Sequence, residues 1–210
     1  VCGCIDPFAQ VHGRGVQKLR DAGIDVTVGV LGEECRALNR QFNVYNTLER
    51  PYILLKWAQT INGFLDADGE ALALSTPFTQ MLVHRLRAQY DAILVGRVTD
   101  EREHPHLTVR EWSGPDPLRL VLRDGITLPQ LMVDLHQQHV QSLMVEGGAK
   151  TLQSFIDAGL WDEIRVETSR LLVSEGTKAP VLPASLILRN REVYDDNVVD
   201  TFGRGEALGI

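Results

Sequence analysis

Ser142-Leu-Met-Val-Glu-Gly-Gly-Ala-Lys-Thr151 runs from an apolar strand through two glycines into the start of a helix. A short apolar run bounded by turn residues suits a strand buried on both faces, as in a parallel sheet. The two glycines let a ligand approach the backbone closely. The helix start offers unpaired N–H groups and the positive end of a dipole to a phosphate. Ala149, Lys150, Thr151 and Leu152 would supply those donors, with the Thr151 hydroxyl nearby. A plain strand-to-helix turn that needs glycine only for positive φ gives the same pattern. The motif is also shorter than the usual dinucleotide fingerprint, so both readings stand. Glu146 favours the first, because a carboxylate at the end of an apolar strand sits where α/β sheets bind ligands.

Outward from this stretch, strands and helices alternate. The patterns predict strands over 52–57, 91–96, 118–122 and 163–173, helices over 77–89, 128–139 and 149–160, and a terminal hairpin over 187–202. Ser75 or Thr76 can cap the first of these helices, and Pro77 suits its first position. Ile61-Asn-Gly63 reads as a turn. Before Pro51, residues 1–5 read as the middle of a strand and 6–14 as a loop. A helix over 16–22, a strand over 24–30 and a helix over 33–44 follow. The whole implies an α/β fold with a mostly parallel sheet covered on both faces and antiparallel strands at its end. The first 45 residues form an α/β edge too small to stand alone.

The chain has 210 residues, 44% apolar and 23% charged, the composition of an ordinary globular protein with a sizeable core. A net charge of −7 argues against a nucleic-acid partner. No apolar run reaches membrane-spanning length, and the three cysteines, Cys2, Cys4 and Cys35, form no disulfide framework. A cytoplasmic location is expected. The chain opens on Val1 in mid-strand, which suggests part of a longer protein.

Lys56 interrupts the apolar run of its strand, so its ammonium must leave the core or meet an anion. Like Glu146 it lies near a strand's C-terminal end; an edge-strand surface lysine is the alternative. The segment 96–110 reads as a long polar loop whose Arg, Thr and acidic groups suit a polar phosphorylated compound, or simply as solvated surface. Arg87 could reach the same place or stand exposed on its helix. Cys2 and Cys4 share a strand face without partners at zinc spacing and are expected as buried core residues, and His104 and His106 as surface.

Arg50-Pro-Tyr-Ile-Leu-Leu-Lys56, Ile61-Asn-Gly63, Leu86-Arg-Ala-Gln89, Asp91-Ala-Ile-Leu-Val-Gly96, Pro105-His-Leu-Thr-Val-Arg110 and Val145-Glu-Gly-Gly148 together resemble the reductase domain of the bifunctional riboflavin-biosynthesis deaminase–reductases. Asp6-Pro7, Gly13-Arg-Gly15, Ala22-Gly-Ile24 and Gly29-Val-Leu31 are similar to the end of that family's deaminase domain. The resemblance implies a dihydrofolate-reductase-like mixed sheet with helices on both faces over 50–210, preceded over 1–49 by a partial cytidine-deaminase-like α/β segment. It implies NADPH-dependent reduction of 5-amino-6-(5-phosphoribosylamino)uracil, a cytoplasmic homodimer, and no nucleic-acid or membrane partner. Residue by residue, it places Arg87, Leu107, Arg110 and Glu146 on the substrate, with Lys56 near the reacting sugar, and makes Lys56 and Glu146 the catalytic candidates. Gln59, Thr99, Glu103 and Asp124 fall on cofactor positions, and Gly148, Ala149, Lys150, Thr151, Leu152, Gln153 and Ser154 around the pyrophosphate. The zinc ligands and proton-shuttling glutamate of the deaminase would precede Val1, so no metal site is expected in this chain.

Three departures stand out. Ala71 and Ala73 replace a serine and a tryptophan of the family pattern, leaving room for another pterin or pyrimidine as substrate. Glu103-His-Pro105 replaces a segment with Asp before the proline. Asp124-Gly-Ile126 reaches the next helix where the family has a few dozen more residues, either a deletion or, the preferred reading, a place where residues are missing. A degenerate ligand-binding or dimer-scaffold homologue is the non-enzymatic alternative.

Overall fold

The structure is a computed structural model and describes residues 1–8 and 10–204. The chain forms two compact units. One comprises the described residues of 1–52 with Met132–Gln141, the other Ile53–Leu131 with the described residues from Ser142 onward.

The first unit contains α1 (Arg14–Asp21), α2 (Gly32–Leu38) and α3 (Arg40–Leu48). The strands expected over 1–5 and 24–30 reduce to one parallel bridge between Cys2 and Val28. An isolated strand pair is marginal without further strands to extend it. The three cysteines are free and only half-buried, so Cys2 and Cys4 are not the core residues expected of them. The helix expected over 33–44 breaks at Asn39 (φ −106°, ψ 23°). The side chains of Asn39 and Asn43 donate to the carbonyls of Cys35 and Arg36, both at 3.2 Å, in competition with the helical ladder.

The second unit is built on a seven-stranded sheet. Its elements are β1 (Tyr52–Gln59), β2 (Asp66–Ala67), β3 (Glu70–Ala71), α4 (Pro77–Arg87), β4 (Ala92–Gly96), α5 (Arg97–Glu103) and β5 (Leu118–Leu122). There follow α6 (Leu128–Gln137), which runs into the first unit, β6 (Ser142–Val145), α7 (Ala149–Asp157), β7 (Glu163–Thr168), β8 (Leu186–Tyr194) and β9 (Asn197–Arg204). The order is β5-β4-β6-β1-β7-β9-β8, with β2 and β3 as a separate hairpin. β4 runs parallel to β5 and β6, and β1 parallel to β7. β9 is antiparallel to β7 and β8, the terminal hairpin that the pattern predicts.

The continuous apolar runs form the centre. Ile53, Leu54, Leu55, Ile93, Leu143, Met144 and Val145 are fully buried, and Leu152 and Phe155 of α7 pack with the core. Each such side chain contributes about 1.5–3 kcal/mol by leaving water. β7 stops at Thr168, short of the expected Val173, because its partner β1 ends at Gln59 opposite that residue. The start of the polar segment 96–110 is a helix, α5, and not a loop. Its residues are helix-tolerant, and Arg97 pairs with Glu101 at 2.9 Å one turn on. The Asp124-Gly-Ile126 connection is a continuous tight turn: Gly125 takes φ 89°, and the Ile126 N–H donates to Arg123 O at 3.3 Å.

Candidate active site

A cavity of about 740 Å³ opens at the ends of β1, β4, β5 and β6. Lys56, Trp57 and Ala58 line it from β1, residues 96–99 from the β4–α5 junction, residues 122–126 after β5, and residues 146–151 from the β6–α7 junction. This is where α/β sheets gather ligands.

The two glycines of the opening motif are not there for backbone conformation. Gly148 has φ −66° and Gly147 is not among the positive-φ residues. They are there for space. A Cβ on Gly147 would lie 2.8 Å from Thr151 Cβ, one on Gly148 3.0 Å from Thr99 Oγ1, and one on Gly96 2.2 Å from Thr151 Oγ1. The three glycines thus let the N-terminus of α7 pack directly against β4 and α5. Gly148 is the N-cap and has no side chain with which to cap the helix. Thr99 Oγ1 accepts the Gly148 N–H at 3.1 Å. The amides of Ala149, Lys150 and Thr151 belong to the first turn, which has no intrahelical acceptor for them, and all three residues face the cavity. This cradle fits an anionic pyrophosphate. Leu152 contributes no such donor: its amide already bonds Gly148 O at 3.1 Å and its side chain is fully buried.

Lys56, Glu146 and Arg87 form the charged centre. Arg87 Nη2 donates to Glu146 Oε2 at 2.6 Å, and Lys56 Nζ stands 4.0 Å from Glu146 Oε1. The Lys56 and Arg87 side chains are 13% exposed and that of Glu146 9%. Glu146 Oε1 is buried without a hydrogen-bond partner among the described residues, an acceptor facing the space beside Lys56. Lys56 also lines a second cavity of about 340 Å³, with Ala58, Ala73, Ser75, Gln80, His84, Arg87 and Arg110. The lysine therefore stands between the two cavities.

α4, which carries Arg87, starts with a capping box between Thr76 and Thr79 and has Pro77 in its first turn, as its sequence predicts. The buried Glu167 of β7 fixes that end of the helix. It accepts from Ser75 and Thr79 hydroxyls and from Asn197 Nδ2, each at 2.6 Å. At the other end of α4 Arg87 Nη1 donates to Thr108 O at 3.3 Å, and the Arg110 N–H donates to His84 Nδ1 at 3.1 Å. Burial, then the neighbouring Arg87, holds the His84 pKa below its usual value, against the opposing effects of the Thr108 carbonyl and Glu111.

Asp66 forms part of the larger cavity's wall. Burial alone would raise its pKa. The Thr177 and Gly69 amides, which donate at 2.7 and 3.3 Å, and Arg102, whose Nη1 lies 3.7 Å away, outweigh burial and hold it below the ordinary value. Asp66 thereby joins the segments around 69 and 177 to α5.

Of the residues singled out in the sequence, Lys56, Thr99, Glu103, Asp124, Glu146, Gly148, Ala149, Lys150, Thr151 and Ser154 line the larger cavity, and Arg87 and Arg110 the smaller. Four others line neither. Gln59 accepts from Trp57 Nε1 at 2.8 Å. Leu107 is buried with φ 58°. Gln153 bonds Asp157 and the Val181 amide, and Leu152 is core. Asp124 pairs with Arg97 at 3.1 Å. Sequence reasoning missed His84 and Asp66, read Ser75 only as a possible helix cap, and took in Arg97 and Arg102 only as part of the polar segment 96–110. Only His84 gave a signal, one helical turn before Arg87. Among the described residues no group of His, Cys, Asp or Glu could hold a metal, and no helix is long and apolar enough to cross a membrane.

A mixed sheet of this kind, with unpaired helix-start amides and a charged centre at its strand ends, defines a dihydrofolate-reductase-like α/β protein. The chain matches the fold of dihydrofolate reductase from Enterococcus faecalis, solved with NADP(H), at TM-score 0.53 and 16% identity over 74% of this chain and 97% of that one. The model of the RibD C-terminal domain matches residues 51–130 and 116–183, and the chain belongs to that family. The two matched parts meet at the short connection after β5. The riboflavin biosynthesis protein RibD of Aquifex aeolicus is 34% identical over 84% of this chain and 62% of its own length. The chain thus spans under two thirds of that relative. A deaminase/5-amino-6-(5-phosphoribosylamino)uracil reductase from Thermotoga maritima superposes with TM-score 0.85 at 26% identity, over 96% of this chain and 70% of that one. The family and fold expected from the sequence motifs agree with these matches.

Proposed function

We propose that this chain reduces 5-amino-6-(5-phosphoribosylamino)uracil to its ribitylamino product with NADPH. The observation that carries this reading is Lys56, which stands beside the buried Glu146 and lines both cavities, one holding a phosphate cradle and the other two arginines. The Ala149, Lys150 and Thr151 amides would hold the pyrophosphate, with Thr99, Glu103 and Asp124 along the same wall. Bound there, the dinucleotide would supply a hydride to C1 of the ring-opened ribosyl imine, whose nitrogen takes up a proton. Arg87 and Arg110 bind the sugar phosphate with planar, multidentate donors. Glu146 accepts from the polar edge of the substrate, and its bond to Arg87 fixes the carboxylate plane. Lys56 holds the reacting sugar between the two cavities, so the reacting carbons meet in one geometry. Residues 1–49 fit the end of a deaminase domain and 50–210 the reductase, in a homodimer of a cytoplasmic parent protein.

Ala73 favours a second reading. It leaves the smaller cavity open where the family pattern has a large aromatic residue, which would suit a different pyrimidine or a pterin. Two measurements test the assignment. NADPH titration should enhance nicotinamide fluorescence and raise the melting temperature. Turnover of the phosphoribosylaminouracil should exceed that of dihydrofolate. Absence of both NADPH responses overturns the reductase assignment, and preference for dihydrofolate overturns the substrate.

A further inference from the structure

We propose that His84 is a positioning residue, and that its neutral imidazole holds in place the backbone of residues 108–110, which carries the anion-binding Arg110 side chain. The inference rests on the reading of the smaller cavity as a sugar-phosphate site.

His84 is 4% exposed and lines that cavity from α4. Its Nδ1 accepts the Arg110 N–H at 3.1 Å, a bond that only the unprotonated nitrogen can make. Arg87, one turn along the same helix, donates to the Thr108 carbonyl at 3.3 Å. Residues 108 and 110 are therefore both tied to α4, one through its carbonyl and the other through its amide. The Arg110 side chain is exposed and donates to Thr108 Oγ1 at 3.2 Å, so His84 offers it a fixed backbone from which to reach an anion.

Burial of the ring is the first cause that favours this state, and the groups around it act in both directions. Arg87 on α4 and Arg110 on the loop oppose a second positive charge, while Glu111, with Oε1 3.9 Å from Nε2, and the Thr108 carbonyl favour one. Buried among them, His84 stays neutral at neutral pH. Protonation on acidification would place a donor at Nδ1 against the Arg110 N–H, break that bond and release the loop. His84 contacts neither the proposed phosphate nor the reacting atoms; it acts through Arg110.

Ribose 5-phosphate is the probe, and calorimetric binding at pH 7.5 to the whole chain is the measurement. Wild-type protein should bind it, and His84→Leu roughly ten-fold more weakly, the loss of one net hydrogen bond. His84→Gln, whose amide oxygen can accept the Arg110 N–H, should recover most of that loss. Below pH 6.5 wild type should lose affinity more steeply than His84→Gln, since both share the titration of the ligand phosphate and only wild type carries the imidazole. The amide resonance of Arg110 should move over the same pH range in wild type alone. If wild type fails to bind the probe, the reading of the cavity falls. If wild type binds and His84→Leu binds equally well, the role of His84 falls and the cavity stands. Should His84→Leu fail to fold, identical pH profiles for wild type and His84→Gln overturn the proposal by themselves.

Discussion

Gly96→Ala tests the claim that glycine at the cleft is there for space and not for φ. The new Cβ would lie 2.2 Å from Thr151 Oγ1, well inside contact distance, but 3.4 Å from Thr151 Cβ. The hydroxyl must rotate or α7 must move off β4. Threonine has two accessible wells in a helix, and its methyl takes the hydroxyl's place in one of them, so rotation relieves only part of the clash. Overpacking of this size costs about 1–3 kcal/mol. At roughly 2–4 °C per kcal/mol for a domain of this size, the melting temperature should fall by about 2–12 °C. Thr151→Ala removes the clashing atom and leaves the alanine pair in ordinary contact. The Gly96→Ala/Thr151→Ala double variant should therefore be more stable than the sum of the single effects, with a coupling of about 1 kcal/mol or more. Circular-dichroism melts and urea titrations of the four proteins close the cycle. Strict additivity would refute the reasoning, because it would mean that the alanine at position 96 never meets Thr151. A second readout follows from the same geometry: Gly96→Ala should weaken NADPH binding, since the helix it displaces carries the cradle amides.

Glu146→Gln removes the charge that faces Arg87 at 2.6 Å and Lys56 at 4.0 Å, and steady-state kinetics should show kcat/KM reduced at least about 100-fold, with the fold retained by circular dichroism. Arg110→Gln should raise KM for the phosphorylated substrate roughly ten-fold with little change in kcat, and this difference should vanish with the dephosphorylated substrate. Asp66 has a depressed pKa, so its contribution to stability is present above the ordinary value of 3.8 and is lost as pH falls through the lower folded value. Urea midpoints should accordingly place wild type roughly 1 kcal/mol above Asp66→Asn at pH 6, and the gap should close towards pH 2.5.

What the sequence made legible follows from desolvation. β1, β4 and β6 read as strands because each is an apolar run with no period, and only a sheet buried on both faces accommodates such runs in segments this short. The same physics marked Lys56 and Glu146. A charge at the end of a buried strand costs several kcal/mol unless something meets it, so its presence there implies a partner. The partner's identity was less accessible: Arg87 comes from α4, and nothing between residues 87 and 146 ties their separation in sequence to 2.6 Å in space. His84 and Asp66 were hidden for the same reason. The first acts on an amide 26 residues away and the second on one 111 residues away, and neither interrupts an apolar run. α5 and the break at Asn39 were missed on local grounds. A seven-residue charged helix resembles a loop in composition, and the side chains of Asn39 and Asn43 divert a helix that its apolar spacing would continue. Patterning therefore locates the strand ends where chemistry can gather, while the residues that orient that chemistry are set by packing between elements. For that reason the decisive tests of this site are paired substitutions, Gly96 with Thr151 and His84 against its glutamine replacement, in which the second change restores what the first removes.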